Sequence, residues 1–592
     1  MTSPAGSAGP PVTTPRVLLA LAAVAIGFAA ADTYVVVLAL PDMMTSAGLG
    51  IDELQRAAPI VSGFLLGYVA VLPLIGRVAD LRGRVPVLVG CLAIFAVGSL
   101  LTAAAYDLDT IVAGRLVQGI GGGGLIPPTL ALVADAWPPE RRGLPLGVVG
   151  AVQELGSVLG PLYGALVLAV GDWRDIFWLN AAVGLLLAAA VMQVRGQAPP
   201  STAQSPTASA RPRPDVLGAL LLVLALALLL VVMLEPEGLT TGITSGLAFI
   251  PVVGDSRWLT PLALAAYGVL VLFAVRQLTA RRPLVDPRGW REVAGEVDLP
   301  GATLLTVALG TVIVTFASAD PEHRTLSPDA PWLLALGAVA TVGFVLRQRM
   351  AARPLVPRGA LAARPAWGSL VVSFLVGSAL IAALVDIPFF ARLTVHRDSQ
   401  LDAALVLVRF LVALPVGAVL GGYLLRRVPA WALTAVGMLL SAGAFLHMAT
   451  WDAQSLTNPV ETISLVVGGL GFGLAIAPVN AALLAHTRPA VHGLASALVV
   501  VARMVGMLIG ISALTTIGLR AFYAEAGRIG SPTELCGTAG RCAAYDDALL
   551  DAGIAQLHAV FLGAAVCAIL AALTAAWLLR EPGDRAEVTA DR

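Results

Sequence analysis

Six ionisable residues stand where the sequence is otherwise apolar: Asp32, Arg115, Glu154, Asp386, Arg409 and Arg503. Each lies in an apolar run of roughly 20 residues, the length that crosses a hydrocarbon core of about 30 Å as a helix. A charge in that medium costs several kcal/mol unless it is paired or faces water. Three are acidic and three basic, so pairing can neutralise the set. Two chemistries fit. One is a set of structural ion pairs between helices. The other is a proton site, in which dehydration raises a carboxyl pKa and an approaching arginine lowers it again.

Asp32 is the first candidate for the proton carrier, because Ala30 and Ala31 beside it leave room for solvent, with Arg115 as the group that tunes it. Glu154 precedes Gly160 by six residues and Arg503 precedes Gly510 by seven. These near-equivalent places predict an ion pair between two halves of the molecule that closes one side of a pathway. Asp386 and Arg409 are expected to form a second pair.

These positions call for a particular scaffold. The chain of 592 residues is 58% hydrophobic and 12% charged, with a mean hydropathy of +0.87. Soluble domains carry about twice that charged fraction. The fold class expected is an all-α membrane protein with about sixteen spans grouped six, four and six. Residues 17–194 form the first six-helix half and 366–580 the second. Residues 1–16 and 581–592 are read as cytoplasmic tails, the first disordered, and 195–214 as a flexible cytoplasmic linker. Residues 215–365 hold a duplicated two-helix hairpin. Asp215-Val-Leu-Gly218 opens the first copy, which closes at Arg282-Pro283-Leu284-Val285. Asp298-Leu-Pro-Gly301 opens the second, which closes at Arg353-Pro354-Leu355-Val356. The insert reads first as a membrane-embedded linker; the alternative is a lateral wall that screens or admits a lipid.

Arginines crowd alternate loops, at Arg77, Arg82, Arg84, Arg141, Arg142, Arg353, Arg358, Arg426 and Arg427. Arginine-rich loops stay inside, which puts both termini in the cytoplasm. Val17–Leu40 is too long for a signal-peptide core, so no cleavage is expected.

Some functions are disfavoured. No lysine is present, so a phosphate-binding loop ending in Gly-Lys-Ser/Thr is impossible and ATP-driven transport is not expected. No nucleophile–His–carboxylate grouping or metal-ligand cluster stands out, and the chain is not read as an enzyme. The zero net charge gives no sign of a nucleic-acid partner. Cys536 and Cys542, six residues apart in the outer loop 520–558, suit a disulfide in an oxidising compartment; two free thiols are the alternative. His447 and His558 are read as interfacial. Asn480, beside Pro478, suits either a substrate contact or a freed backbone carbonyl.

Two motifs suggest motion. Gly76-Arg-Val-Ala-Asp80-Leu-Arg82-Gly83-Arg84 comes after the second span. Gly76 allows close helix approach and Asp80 can face a helix N-terminus; Gly76, Asp80, Gly83 and Arg84 are read as a conformational latch. Gly156, Gly160, Pro161 and Gly164 give the fifth span a small-residue face and a missing backbone hydrogen bond, as a hinge or as tight static packing.

These residues carry a resemblance. Gly76–Arg84 looks like the signature loop of the major facilitator superfamily. Asp32–Pro41, Arg115-Leu-Val-Gln118-Gly119 and Gly156–Gly164 resemble the motifs of its fourteen-span drug:proton antiporter branch. Ala151–Tyr163, Asp172–Trp178 and Val499–Gly510 resemble the mycobacterial lipid exporters that work beside a lipid-binding lipoprotein; those relatives carry one central hairpin. The resemblance implies a secondary active exporter of triacylglycerol-like lipids or hydrophobic drugs, a monomer in a bacterial, actinobacterial cell membrane. It would use the proton gradient and no cofactor, with a periplasmic lipoprotein as partner. The reading from a different class is a passive lipid conduit or a structural part of an envelope complex, without proton coupling.

Overall fold

The computed structural model describes residues 13–49, 54–197, 215–242, 244–280, 283–317, 329–396, 399–529, 536 and 542–580. The expected tail at 581–592 and most of the expected linker lie outside the described residues. Residues 13–16, expected in the first tail, are instead the opening turn of the first helix.

Among the described residues, sixteen helices are long and apolar enough to cross a membrane. The first half comprises α1 (Thr13–Ser46), α2 (Leu54–Ala70), α3 (Leu72–Arg82), α4 (Arg84–Ala103), α5 (Leu108–Gly123), α6 (Ile126–Ala136), α7 (Gly143–Val170) and α8 (Trp173–Gln197). The insert holds α9 (Val216–Leu234), a short α10 (Glu237–Thr240), α11 (Pro261–Thr279), α12 (Pro287–Glu296), α13 (Leu299–Ala317) and α14 (Ala330–Met350). The second half comprises α15 (Arg364–Leu393), α16 (Gln400–Leu424), α17 (Ala430–Met448), α18 (Glu461–Ala485), α19 (His492–Ala526) and α20 (Ala543–Leu578).

Two expected spans are broken. The second is α2 plus α3, with Pro73 near the start of α3. The fourth is α5 plus α6, parted at Gly124–Leu125 just before Pro127 and Pro128. Proline removes a backbone donor and its ring crowds the preceding turn. Conversely, the outer connection expected over 520–558 is largely helix. The 36 residues of α20 span about 54 Å, well beyond the bilayer core. Ala, Leu and Glu at the inner ends of that connection favour helix, and a disulfide joins Cys536 and Cys542.

The halves pair their helices alike. In the first, α1 packs on α7, α2 on α5 and α4 on α8; in the second, α15 packs on α19, α16 on α18 and α17 on α20. The α1–α7 and α15–α19 seams are so tight that a Cβ on Gly156 would lie 2.0 Å from the Gly27 carbonyl oxygen, and one on Gly506 2.0 Å from that of Phe374. Small residues let backbones meet where hydrocarbon offers no hydrophobic drive. Gly160 and Gly164 continue the same contact on Ala31 and Val35. The expected hinge thus lies in a close-packed seam. Between the halves, α7 meets α16, and α3 and α6 meet α19.

Each hairpin of the insert carries the same clasp. The Gly218 N–H donates to Asp215 Oδ1 at 3.1 Å and Arg276 Nη2 pairs with it at 3.0 Å. The Gly301 N–H donates to Asp298 Oδ1 at 3.2 Å and Arg347 Nε pairs with it at 2.9 Å. The Gly218 N–H, with help from Arg276, holds the Asp215 carboxyl below the usual carboxylate range.

Candidate functional site

Asp32 sits on α1, fully buried, facing α5 and α8. Its Oδ2 accepts from Arg115 Nη1 at 2.6 Å and its Oδ1 from Gln118 Nε2 at 3.0 Å; the Asn180 amide on α8 also donates to Oδ1. Arg115 Nη1 donates onward to Gln118 Oε1 at 2.6 Å and its Nε to the Ile60 carbonyl at 3.4 Å. The guanidinium lies 4.3 Å from the Phe64 ring centroid and 5.6 Å from that of Phe177. Ser99 and Tyr163 close the periphery, through Gln118 and Asn180. Spacing explains part of this: Arg115 and Gln118 are three apart and share a helix face.

Such a site holds an anion well. A carboxylate is acceptor-only, and here three donors, one of them charged, converge on it. The arginine is 1% exposed, so removing the carboxylate charge strands a cation in an apolar layer. Sequence reasoning placed Asp32 and Arg115 but missed Gln118, Asn180, Ser99 and Tyr163 as members. An amide in an apolar sixth span was the one signal for Asn180.

A narrow cavity lies between the halves. Its walls are aliphatic, from α6, α7, α15, α18 and α19, broken by Gln153, Glu154, Ser373, Asn480 and Arg503. Glu154 and Arg503 thus face one space from opposite halves, but the direct ion pair expected of them is not formed among the described residues. The tight α1–α7 and α15–α19 seams hold each residue's helix in its own half, and the two side chains interact across the cavity. The Asn480 amide donates to the Ile476 carbonyl at 3.0 Å, so it serves its own helix.

Asp386 and Arg409 do not form the second expected pair either. Arg409 lies on the exposed face of α16 and donates to Thr462 Oγ1 at 3.0 Å. A long side chain on an outward face reaches along the surface to the nearest polar group; Asp386 is half-buried on α15.

The latch residues do converge, at the arginine-rich end. Asp80 belongs to the last turns of α3, not to a loop. It accepts the Gly493 and Leu494 N–H groups at 2.8 and 3.0 Å, capping α19 of the other half where free N–H groups and the helix dipole favour an anion. Arg84 bonds Asp80, reaches Asp135 at 3.2 Å and donates to the Pro489 carbonyl at 3.1 Å. A Cβ on Gly76 would lie 2.5 Å from the Gly493 carbonyl oxygen. Gly83, at φ +92°, makes the turn into α4. These contacts tie the two halves together at this end. Sequence reasoning missed the partners Gly493, Leu494 and Asp135, since nothing in the spacing names the facing helix.

At the opposite end, His447 Nε2 and Glu461 Oε2 lie 2.8 Å apart, the Trp451 indole also donates to Glu461, and His558 contacts the Trp451 carbonyl at 2.6 Å.

Two alike six-helix halves, a cavity between them and a latch at one end define a polytopic membrane transporter, not an enzyme. Residues 22–346 match the Major Facilitator Superfamily, more than half of the chain, and the protein belongs to that superfamily. It is 35% identical over 521 residues to a triacylglyceride transporter of Mycolicibacterium hassiacum, covering 86% of this chain and 80% of that one. It is 33% identical to one of Mycolicibacterium smegmatis, over 94% of this chain and 86% of that. The triacylglyceride transporter of Mycobacterium tuberculosis is 34% identical over 86% of this chain and 83% of its own. Among solved structures, the proton:xylose symporter XylE superposes with a TM-score of 0.52 at 13% identity, covering 96% of each chain. That likeness is one of fold.

Proposed function

We propose that this protein is a secondary active exporter of triacylglycerol-like lipids or hydrophobic drugs, cycling by alternating access coupled to proton influx. The observation that carries the reading is the buried Asp32–Arg115 pair at 2.6 Å, in the half whose α6 and α7 wall the cavity. The mycobacterial relatives, which carry the name triacylglyceride transporter, favour a lipid cargo. The arginine-rich, latched end faces the cytoplasm of a bacterial cell membrane and both termini lie inside. The protein acts as a monomer, takes no cofactor beyond the proton gradient, and passes cargo to a periplasmic lipid-binding lipoprotein.

The coupling derives from hydrogen-bond capacity. Protonating Asp32 turns an acceptor-only group into a donor and leaves Arg115 as a buried cation without a counter-charge. Breaking a buried pair in this way costs about 3–5 kcal/mol, which a shift of α1 against α5 and α8 that admits water to Arg115 would relieve. Proton uptake and helix rearrangement then become one event. Glu154 and Arg503, facing each other across the cavity, draw together as the halves close around or behind the cargo. The aliphatic walls contribute by matching acyl chains without asking them to shed hydrogen bonds.

The test is transport in liposomes under an imposed pH gradient, with wild type beside Asp32→Asn. Gradient-driven export lost in a folded Asp32→Asn protein supports coupling. Export that ignores the gradient and survives the substitution would make the protein a passive conduit, with Asp32 in a structural role.

A further inference from the structure

The two hairpins of the insert share a clasp and differ in their footing. After each clasp comes Pro-Leu-Val. In the first copy Leu284 is 47% exposed. In the second, Leu355 is 1% exposed and packs with Val293, Val297 and Ala302 against Leu74, Val78 and Leu81 of α3. This cluster lies at the arginine-rich end, close enough to water for apolar burial to count.

The helix that bridges the hairpins, α12, adds a second hold on α3. Its first turn forms a cradle for the Arg82 guanidinium. Asp286 Oδ2 lies 3.7 Å from Arg82 Nη1, the Asp286 carbonyl accepts from Nη2 at 3.5 Å, and the Trp290 ring centroid is 5.3 Å from the guanidinium carbon. Gly289 forms the cradle floor; a Cβ there would lie 2.5 Å from Arg82 Nη2. A third hold sits at the break between α2 and α3, where Thr306 Oγ1 donates to the Ala70 carbonyl at 3.1 Å. From there α13 packs on both α2 and α19, so it overlies the seam between the halves.

The helix gripped in this way is the one that carries Gly76 and Asp80. None of the three holds is a latch bond: Arg82 turns to α12, while Asp80 and Arg84 turn to α19 and its approach. For the arginine-rich end to open, α3 must part from α19, and it can do so only by carrying α12 and α13 with it or by breaking from them.

We propose that the second hairpin unit, α12–α14, is a strut that holds the latch shut, with Asp286, Gly289 and Trp290 as positioning residues acting on α3 through Arg82. The first hairpin, with its exposed Leu284, has no such part. The inference rests on the alternating-access reading but concerns neither cargo nor proton.

The test is a distance distribution between spin labels at Arg141→Cys and Arg427→Cys, on the two halves at the arginine-rich end, in full-length protein with Cys91 and Cys567 replaced by serine. Asp80→Asn serves as the reference that breaks the latch itself. Trp290→Ala and Gly289→Val, the second leaving every charge in place, should each raise the long-distance population by about threefold or more. Trp290→Phe should return it to the wild-type value, and Leu284→Ala in the first hairpin should leave it unchanged. A rescue by phenylalanine separates positioning from general loss of stability, with monodisperse elution required of every variant. The strut is overturned if Asp80→Asn opens the end while Trp290→Ala and Gly289→Val do not. If Asp80→Asn itself changes nothing, the latch reading fails and the strut falls with it.

Discussion

The two halves of this transporter share one helix-pairing scheme and treat their charges in opposite ways. In the first, Asp32 and Arg115 are buried, paired and ringed by amides. In the second, Arg409 is exposed and Asp386 half-buried, and they do not meet. The shared scheme is a matter of small residues along the α1–α7 and α15–α19 seams. The charge network is an addition to one half only, so pseudo-symmetry of backbone does not imply symmetry of chemistry. Under the proposed coupling, proton work falls on the side where a charge change is most costly.

That contrast can be broken most directly at Asp32. Asp32→Ala leaves Arg115 buried without its counter-charge and should cost about 3–5 kcal/mol, read as a lower thermal midpoint in detergent. Arg115→Ala should cost a similar amount, and the double variant less than the sum. Next come the seams, where the halves should agree. Gly156→Val and Gly506→Val each force a side chain into a facing carbonyl at 2.0 Å and should each cost about 1–3 kcal/mol; a loss confined to one half would end the claim of equivalent packing.

Arg409→Ala sharpens the contrast from the other side. An exposed hydrogen bond to Thr462 should be worth within about 0.5 kcal/mol, so neither thermal midpoint nor gradient-driven transport should move measurably. The smallest effect lies between the halves. The Asp215 carboxyl is held below its usual range in the folded clasp, so its contribution is present above the ordinary carboxylate pKa of about 3.9 and is lost as pH falls through the lower folded value. Protection of the amides at the start of α9, taken relative to their intrinsic exchange rate at each pH, should hold from neutral pH through the ordinary carboxylate range and fall only below about 4.

Much of this architecture was legible in the sequence because membranes write in long apolar runs and in arginine bias. The six charges, the duplicated hairpin and the latch residues were all visible as types and offsets. What spacing could not supply was azimuth. Arg409 and Asp386 lie at depths that allow pairing, yet helix rotation turns one of them outward. Asp80 could be read as facing some helix N-terminus, but the choice of α19 comes from the tertiary approach of Gly76 to Gly493. The breaks at Pro73 and at Pro127–Pro128 were signalled by residue type and overlooked within runs of high hydropathy. The outer reach of α19 and α20 was hidden for the opposite reason, since polar helices beyond the bilayer lack the apolar signature that marks a span.

The insert's two clasps begin and end on matching residues, Asp215 and Asp298 at one edge, Pro283 and Pro354 at the other. Each unit leaves the membrane on the side where it entered. Unequal crossing-over between such edges would add or delete a whole unit in frame and never invert the spans downstream. Excising residues 215–297 should therefore yield a shorter chain that inserts with its second half the same way up. The gene carries its own cassette, but dropping that first copy would also remove α12 and its cradle for Arg82, so the shorter chain should open its latched end more readily.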